Sequence, residues 1–210
     1  MYGLIGDFMV RVLSTKAQFI GELNLEYVGG CTEYHIDTDV PYGMIQKAVS
    51  NGSLIRLERG IYATPELIED EYFLIQMKYS RGVFSGFSAM YLQNMSDHLP
   101  ENYHMTFPKG YNSKTLREDP RPIVIKRVMP KLYDMGITVI NTAYGNPVRV
   151  YDRERTLCDI LRGQGIDADL TKQAMREYVG SGDVNIRKLV SYADALHVRS
   201  KIDNYMRVLL

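Results

Sequence analysis

Pro41-Tyr42-Gly43-Met44-Ile45-Gln46-Lys47-Ala48-Val49-Ser50-Asn51-Gly52-Ser53-Leu54-Ile55-Arg56-Leu57-Glu58-Arg59-Gly60-Ile61-Tyr62-Ala63 is the stretch on which the reading of the fold turns. Proline suits a first helical turn, where its missing N–H would have no partner, and Asp39 stands just ahead as a cap. Met44, Ile45, Ala48 and Val49 recur along one helical face, and Asn51-Gly52 stops the helix. From Ser53 onward Leu and Ile alternate with Arg and Glu, with Arg59-Gly60 at a tip. That pattern is a two-stranded hairpin directly after a helix.

Upstream, Leu4, Ile5, Phe8, Met9, Val12 and Leu13, then Phe19, Ile20 and Leu23, predict helices over residues 3–23, the second capped by Ser14 or Thr15. Residues 24–40 are turn-rich. Helix, helix, short helix, hairpin is the order of a winged helix-turn-helix, expected over residues 1–65. Such a module needs a rod that fits the major groove and a hairpin whose cations reach phosphate. Tyr42, Gln46, Lys47 and Asn51 are the outward candidates on the rod, and Arg56 and Arg59 are those on the wing. Residues 1–64 carry five Lys and Arg against seven Asp and Glu, a net of −2. Phosphate contact supplies most non-specific DNA affinity, so DNA binding requires those few cations to gather on one face. A winged helix that contacts only protein is the open alternative.

Thr64-Pro65-Glu66 begins a second domain, residues 66–210. It is expected to hold helices over 68–80 and 88–95, the latter capped by Ser88. Strands are expected over 103–107, 123–128, 137–141 and 147–151, with a polar loop at 109–121. Helices over 153–162, 169–178, 184–196 and 199–209 complete it. The predicted class is α+β: an N-terminal winged helix-turn-helix plus a larger mixed α/β domain with a small sheet and a helical C-terminal third.

Two features of the second domain carry charge in a pattern. Between Lys109 and Lys131, seven cations, including Lys114, Arg117, Arg121, Lys126 and Arg127, face only Glu118 and Asp119, a net of +5. That density suits a nucleic-acid surface or an anionic partner, with a solvated polar loop as the alternative. Further on, in Asp152-Arg153-Glu154-Arg155-Thr156-Leu157-Cys158-Asp159-Ile160-Leu161, Asp152 can cap a helix, Glu154 suits its positive end, and Arg155 pairs with Asp159 at i, i+4. A well-capped helix accounts for the string, and catalysis by Asp152, Arg155 and Asp159 is the alternative.

The whole chain of 210 residues balances 25 cations against 25 carboxylates, so any electrostatic preference is local. Its 45% apolar content supports a sizeable core. Cys31 and Cys158 are too few and too far apart for a disulfide scaffold, and four scattered histidines have no ligand spacing. Gly86-Phe87-Ser88-Ala89-Met90 lacks the second glycine of a nucleophile elbow, and Gly180-Ser181-Gly182-Asp183 lacks a following acidic metal pair. No catalytic residue, metal or cofactor is assigned. With no apolar run of about 18 residues and no leader pattern, the expectation is a cytoplasmic protein without a membrane partner.

Four motifs in order, Gly52-x-Leu54-Ile55-Arg56-x-x-Arg59-Gly60-Ile61-Tyr62, Ser85-Gly86-x-Ser88-Ala89, Phe107-Pro108-x-Gly110 and Val150-x-Asp152-x-Glu154-Arg155-Thr156-Leu157-x-Asp159, resemble the AbiEi family of abortive-infection antitoxins. The resemblance covers roughly residues 41–210. It implies an antitoxin of a type IV toxin–antitoxin system, active in phage resistance, whose winged helix represses its own operon at inverted repeats. It further implies a C-terminal domain that counters a nucleotidyltransferase-like toxin without a stable complex. On this resemblance Lys47, Arg56 and Arg59 would contact operator DNA, and the basic run would be a second nucleic-acid surface.

Overall fold

The computed structural model describes residues 11–13, 26–27, 33–35, 42–58, 61–63, 65, 70–112, 114–163 and 168–209. They fall into two compact units: Met1–Ile75 with Thr142–Pro147, and Gln76–Asn141 with Val148–Leu210. The class is mixed α+β with a helical C-terminal third, as the periodicity predicts. Each unit holds a five-stranded sheet.

In the first unit the described part of the decisive stretch is a helix followed by paired strands. Helix α1 (Tyr42–Ser50) buries Ile45 and Ala48 and exposes Gly43, Gln46, Lys47 and Ser50. Gly52 sits at φ +79°, a left-handed position where a side chain would meet no neighbour but would be strained. The chain then doubles back at once: Leu54 N donates to Ala48 O at 3.0 Å, and the Leu54 side chain is buried. Strands β4 (Ile55–Glu58) and β5 (Ile61–Ala63) pair antiparallel, Arg56 opposite Tyr62, with an irregularity between Arg56 and Glu58.

Ahead of α1 the outcome differs from expectation. Arg11–Leu13 is strand β1, not helix, pairing parallel with β5 and antiparallel with β3 (Glu33–His35). Together with β2 (Glu26–Tyr27), which lies in the turn-rich stretch, the sheet order is β2-β3-β1-β5-β4. Apolar recurrence over a short window cannot separate helix from strand, and here two neighbouring strands supply β1 with backbone partners. The rest of residues 3–23, with Ser14 and Thr15, lies outside the described residues, as do Asp39, Pro41, Arg59 and Gly60.

Helix α2 (Glu71–Lys78) carries the chain from one unit to the other, since the division falls after Ile75. Asp70 caps it by accepting from Phe73 N at 3.1 Å. The other oxygen of the same buried carboxylate accepts from Thr142 Oγ1 at 2.5 Å and Asn146 Nδ2 at 2.8 Å. These bonds tie the returning segment 142–147 into the first unit.

The second unit is built on the sheet β8-β7-β6-β10-β9. Its strands are β6 (Val83–Phe84), β7 (Tyr103–Pro108), β8 (Ile123–Val128), β9 (Ile137–Asn141) and β10 (Pro147–Tyr151). Central β6 runs antiparallel to β7 and parallel to β10, and β7 runs parallel to edge strand β8. A parallel neighbour needs a crossover, so the expected polar loop contains a short helix, α4 (Lys114–Arg117), pinned by buried Leu116. Helix α3 (Gly86–Leu92) follows β6, and α5 (Pro130–Tyr133) follows β8. Helices α6 (Arg153–Arg162), α7 (Ala168–Gly180), α8 (Ile186–Ala195) and α9 (Arg199–Leu209) close the unit. Their core gathers Leu157 and Ile160 from α6, Met175 and Tyr178 from α7, Leu189 from α8 and Ile202 from α9.

Candidate functional site

The rod-and-hairpin candidates divide into three groups. Gln46 and Lys47 are exposed on the face of α1 opposite Ile45 and Ala48, and Arg56 is exposed on β4. Asn51 is exposed, but its Oδ1 accepts from Ser53 N at 3.0 Å, so part of its hydrogen-bonding capacity shapes the turn. Tyr42 is the first residue of α1, and Arg59 lies outside the described residues.

Two of the cations in the basic run are engaged in ion pairs. Arg121 grips Asp119 through Nε and Nη2, both at 2.8 Å, and Lys78 reaches the same carboxylate at 2.9 Å. Tyr79 OH donates to it as well, at 2.6 Å. Burial alone would raise the Asp119 pKa, but hydrogen bonds from Arg121, Tyr79 and Lys78 outweigh it and hold the carboxyl well below the usual range. Lys126 pairs with Asp159, Nζ to Oδ1 at 2.8 Å. Lys109, Lys114, Arg117 and Arg127 remain exposed. Asp119 lies inside the run, two residues from Arg121, whereas Asp159 stands 33 positions from Lys126, beyond the reach of local spacing.

The α6 string forms the capped helix that its order suggests. Asp152 accepts from Arg155 N at 2.8 Å, and Arg155 Nε donates to Asp159 Oδ2 at 3.0 Å. Arg155 is wholly buried; its Nη1 donates to the carbonyls of Leu132 and Met135, and its guanidinium lies 4.2 Å from the Tyr151 ring centroid. Gly136, at φ +82°, packs so closely that a Cβ there would stand 2.8 Å from Arg155 Cβ. Lys188 bridges Asp152 at 3.0 Å and Glu154 at 3.4 Å, while Tyr178 OH donates to Glu154. Burial, the largest influence, raises the Asp152 pKa against the opposing pull of the Arg155 N–H and Lys188. Leu157, Ile160 and Leu161 face the core.

Ser88 has a different role from the one expected. The N-cap of α3 is Ser85, two residues before Phe87, while Ser88 is a buried helical residue. Its Oγ accepts from His104 N at 2.9 Å and donates to Asn102 O at 3.5 Å, fastening α3 to the start of β7. Helical spacing alone offers two serines here, and only the backbone angles decide between them.

Beside α3 a cleft of about 360 Å³ opens in the second unit, walled by Phe87, Val124, Ile125 and Ile160, with His104, Lys126 and Asp159 supplying polar atoms. The His104 ring meets Phe87 edge-on, centroids 5.3 Å apart, and burial lowers its pKa, keeping the imidazole neutral near pH 7. Of the three residues weighed for catalysis, Asp159 lines this cleft; Asp152 and Arg155 are engaged at the helix cap and beneath it. Sequence reading missed the cleft. The available signal was Lys126 standing inside an apolar strand, Ile123-Val124-Ile125-Lys126, where a cation needs a carboxylate partner. Among the described residues no group of three or more His, Cys, Asp or Glu stands ready for a metal ion, and no helix is long and apolar enough to cross a membrane.

No family model and no curated protein matches the chain. Among solved structures it is similar to the RV2827C protein from Mycobacterium tuberculosis, with a TM-score of 0.51 at 14% identity. The match covers 75% of this chain and 60% of that one, so the chain spans less than two thirds of its structural neighbour's length. At that identity the likeness is one of fold.

Proposed function

We propose that the chain is a DNA-binding regulator of the antitoxin type: an autorepressor that binds inverted repeats in its operator and counters a nucleotidyltransferase-like toxin. The observation that carries this reading is the split face of α1. Ile45 and Ala48 anchor the helix while Gln46 and Lys47 face outward, and an antiparallel hairpin bearing exposed Arg56 follows at once. A rod of that diameter fits the major groove, and a cationic hairpin beside it suits the flanking phosphates. The ordered resemblance to AbiEi antitoxins supports the biological assignment. The strand at Arg11–Leu13 makes the surroundings of the rod unlike a simple three-helix module.

The test is a gel shift on DNA from upstream of the chain's own gene, with Lys47, Arg56 and Arg59 each changed to Glu. Each lost phosphate contact should lower the slope of log affinity against log salt by about 1. A second set separates the basic run. Neutralising exposed Lys109, Lys114, Arg117 and Arg127 should weaken binding, whereas Arg121→Gln, whose cation is spent on Asp119, should leave it unchanged. Undiminished binding by the three Glu variants would overturn the rod-and-hairpin assignment.

A further inference from the structure

We propose that the cleft beside α3 is a binding site for a small aromatic oxyanion, a carboxylate or phosphate ester on a ring-sized body, captured by Lys126. Three independent observations meet here. The first is volume: about 360 Å³ lies near the lower end of the range for small-molecule sites, enough for one ring system with a short polar appendage. The second is lining. One wall is apolar and aromatic, with Phe87, Val124 and Ile160, and the His104 ring stands edge-on to Phe87. Such a wall accepts the face or edge of a flat ring.

The third observation is an unbalanced ion cluster. Asp159 is met by two cations, Lys126 on Oδ1 and Arg155 on Oδ2, so one positive charge is left over. Arg155 Nη2 is buried without a hydrogen-bond partner. In a guanidinium, Nε–H and Nη2–H point along the same edge, the edge from which Arg155 already reaches Asp159. Arg121 shows the completed version elsewhere in the same unit, with Nε and Nη2 on the two oxygens of Asp119. In the Arg155 pair the second oxygen is taken by Lys126 instead.

An oxyanion entering the cleft resolves both defects in one exchange. The Lys126 side chain is 41% exposed, so its ammonium is free to leave Asp159 for the incoming ligand. Asp159 Oδ1 then becomes available to Arg155 Nη2 and closes the two-point fork. The ligand's negative charge balances the surplus cation, and its ring covers Phe87, Val124 and Ile160. A neutral ring compound fills the same volume but leaves the charge and the orphaned N–H as they were.

Titration calorimetry on the full chain tests this, pairing each anion with its neutral counterpart: salicylate with salicyl alcohol, and adenosine monophosphate with adenosine. The expected result is that at least one anion binds about tenfold or more tightly than its counterpart. Which anion does so separates a carboxylate source from a phosphate one. Lys126→Gln and Val124→Glu, both at solvent-reaching positions on β8, should each abolish that preference, while Lys126→Arg should retain it. Circular dichroism melts of the variants identify any that fail to fold, and Val124→Glu leaves the ion cluster intact should Lys126→Gln fail. Binding of neither anion at millimolar concentration overturns the proposal, as does equal binding of anion and counterpart, or an undiminished preference in either loss variant.

Discussion

Asp119 illustrates how much one side chain concentrates. Its carboxylate has no solvent exposure and takes hydrogen bonds from Arg121, Tyr79 and Lys78, which keep it ionised well into acid. A carboxyl whose folded pKa lies below its unfolded one stabilises above the unfolded value, about 3.9, and loses that contribution as pH falls through the folded value. Stability should therefore fall off below about pH 4 in the native chain. Asp119→Asn should be less stable at neutral pH and show a flatter acid limb; urea midpoints between neutrality and strong acid decide. An unchanged limb would assign acid sensitivity to other carboxylates. None of this was visible in sequence. Asp119 looked like a minor offset within a basic run, because Lys78 and Tyr79 lie some forty positions earlier and no spacing rule links them.

At the scale of elements, legibility follows length and period. Strands β8, β9 and β10 and helices α6 and α9 have the bounds that alternation and helical recurrence predict. Strand β6 escaped because two residues, Val83 and Phe84, cannot display a period, although they form the centre of the sheet. Helices α4 and α5, of four residues each, escaped for the same reason. The candidate site was legible only where its parts are local: the cap and ion pair of α6 are spaced three and four residues apart. The Lys126–Asp159 pair spans 33 positions and needed coordinates. The α6 cap offers a clean test. Asp152→Ala removes the acceptor for Arg155 N and should lower stability by about 1 kcal/mol. Asp152→Asn keeps an N-cap oxygen and sheds a carboxylate whose ionisation burial opposes, so it should lie within about 0.5 kcal/mol of the native chain. Equal losses in both variants, measured by urea unfolding, would show that the bridge to Lys188 outweighs the cap.

Across the whole molecule, the unit that carries the rod and hairpin is not a contiguous piece of chain. It comprises Met1–Ile75 and, much later, Thr142–Pro147, joined through one oxygen of Asp70, which accepts from both Thr142 and Asn146. Deleting residues 1–69 leaves that carboxylate in place; deleting 1–75 strips the acceptor from Thr142 and Asn146. Amide exchange over residues 142–147 should thus be markedly faster in the longer deletion, and a buried donor left without a partner costs about 1–3 kcal/mol. Similar exchange in both fragments would mean the segment holds its own shape.

This discontinuity bears on how such proteins can be recombined. A cassette exchange at one junction after Ile75 would import a foreign aspartate-bearing segment and leave the recipient's own Thr142 and Asn146 to receive it. The first unit cannot travel as a simple N-terminal graft, because six residues from the far side of the sequence must move with it.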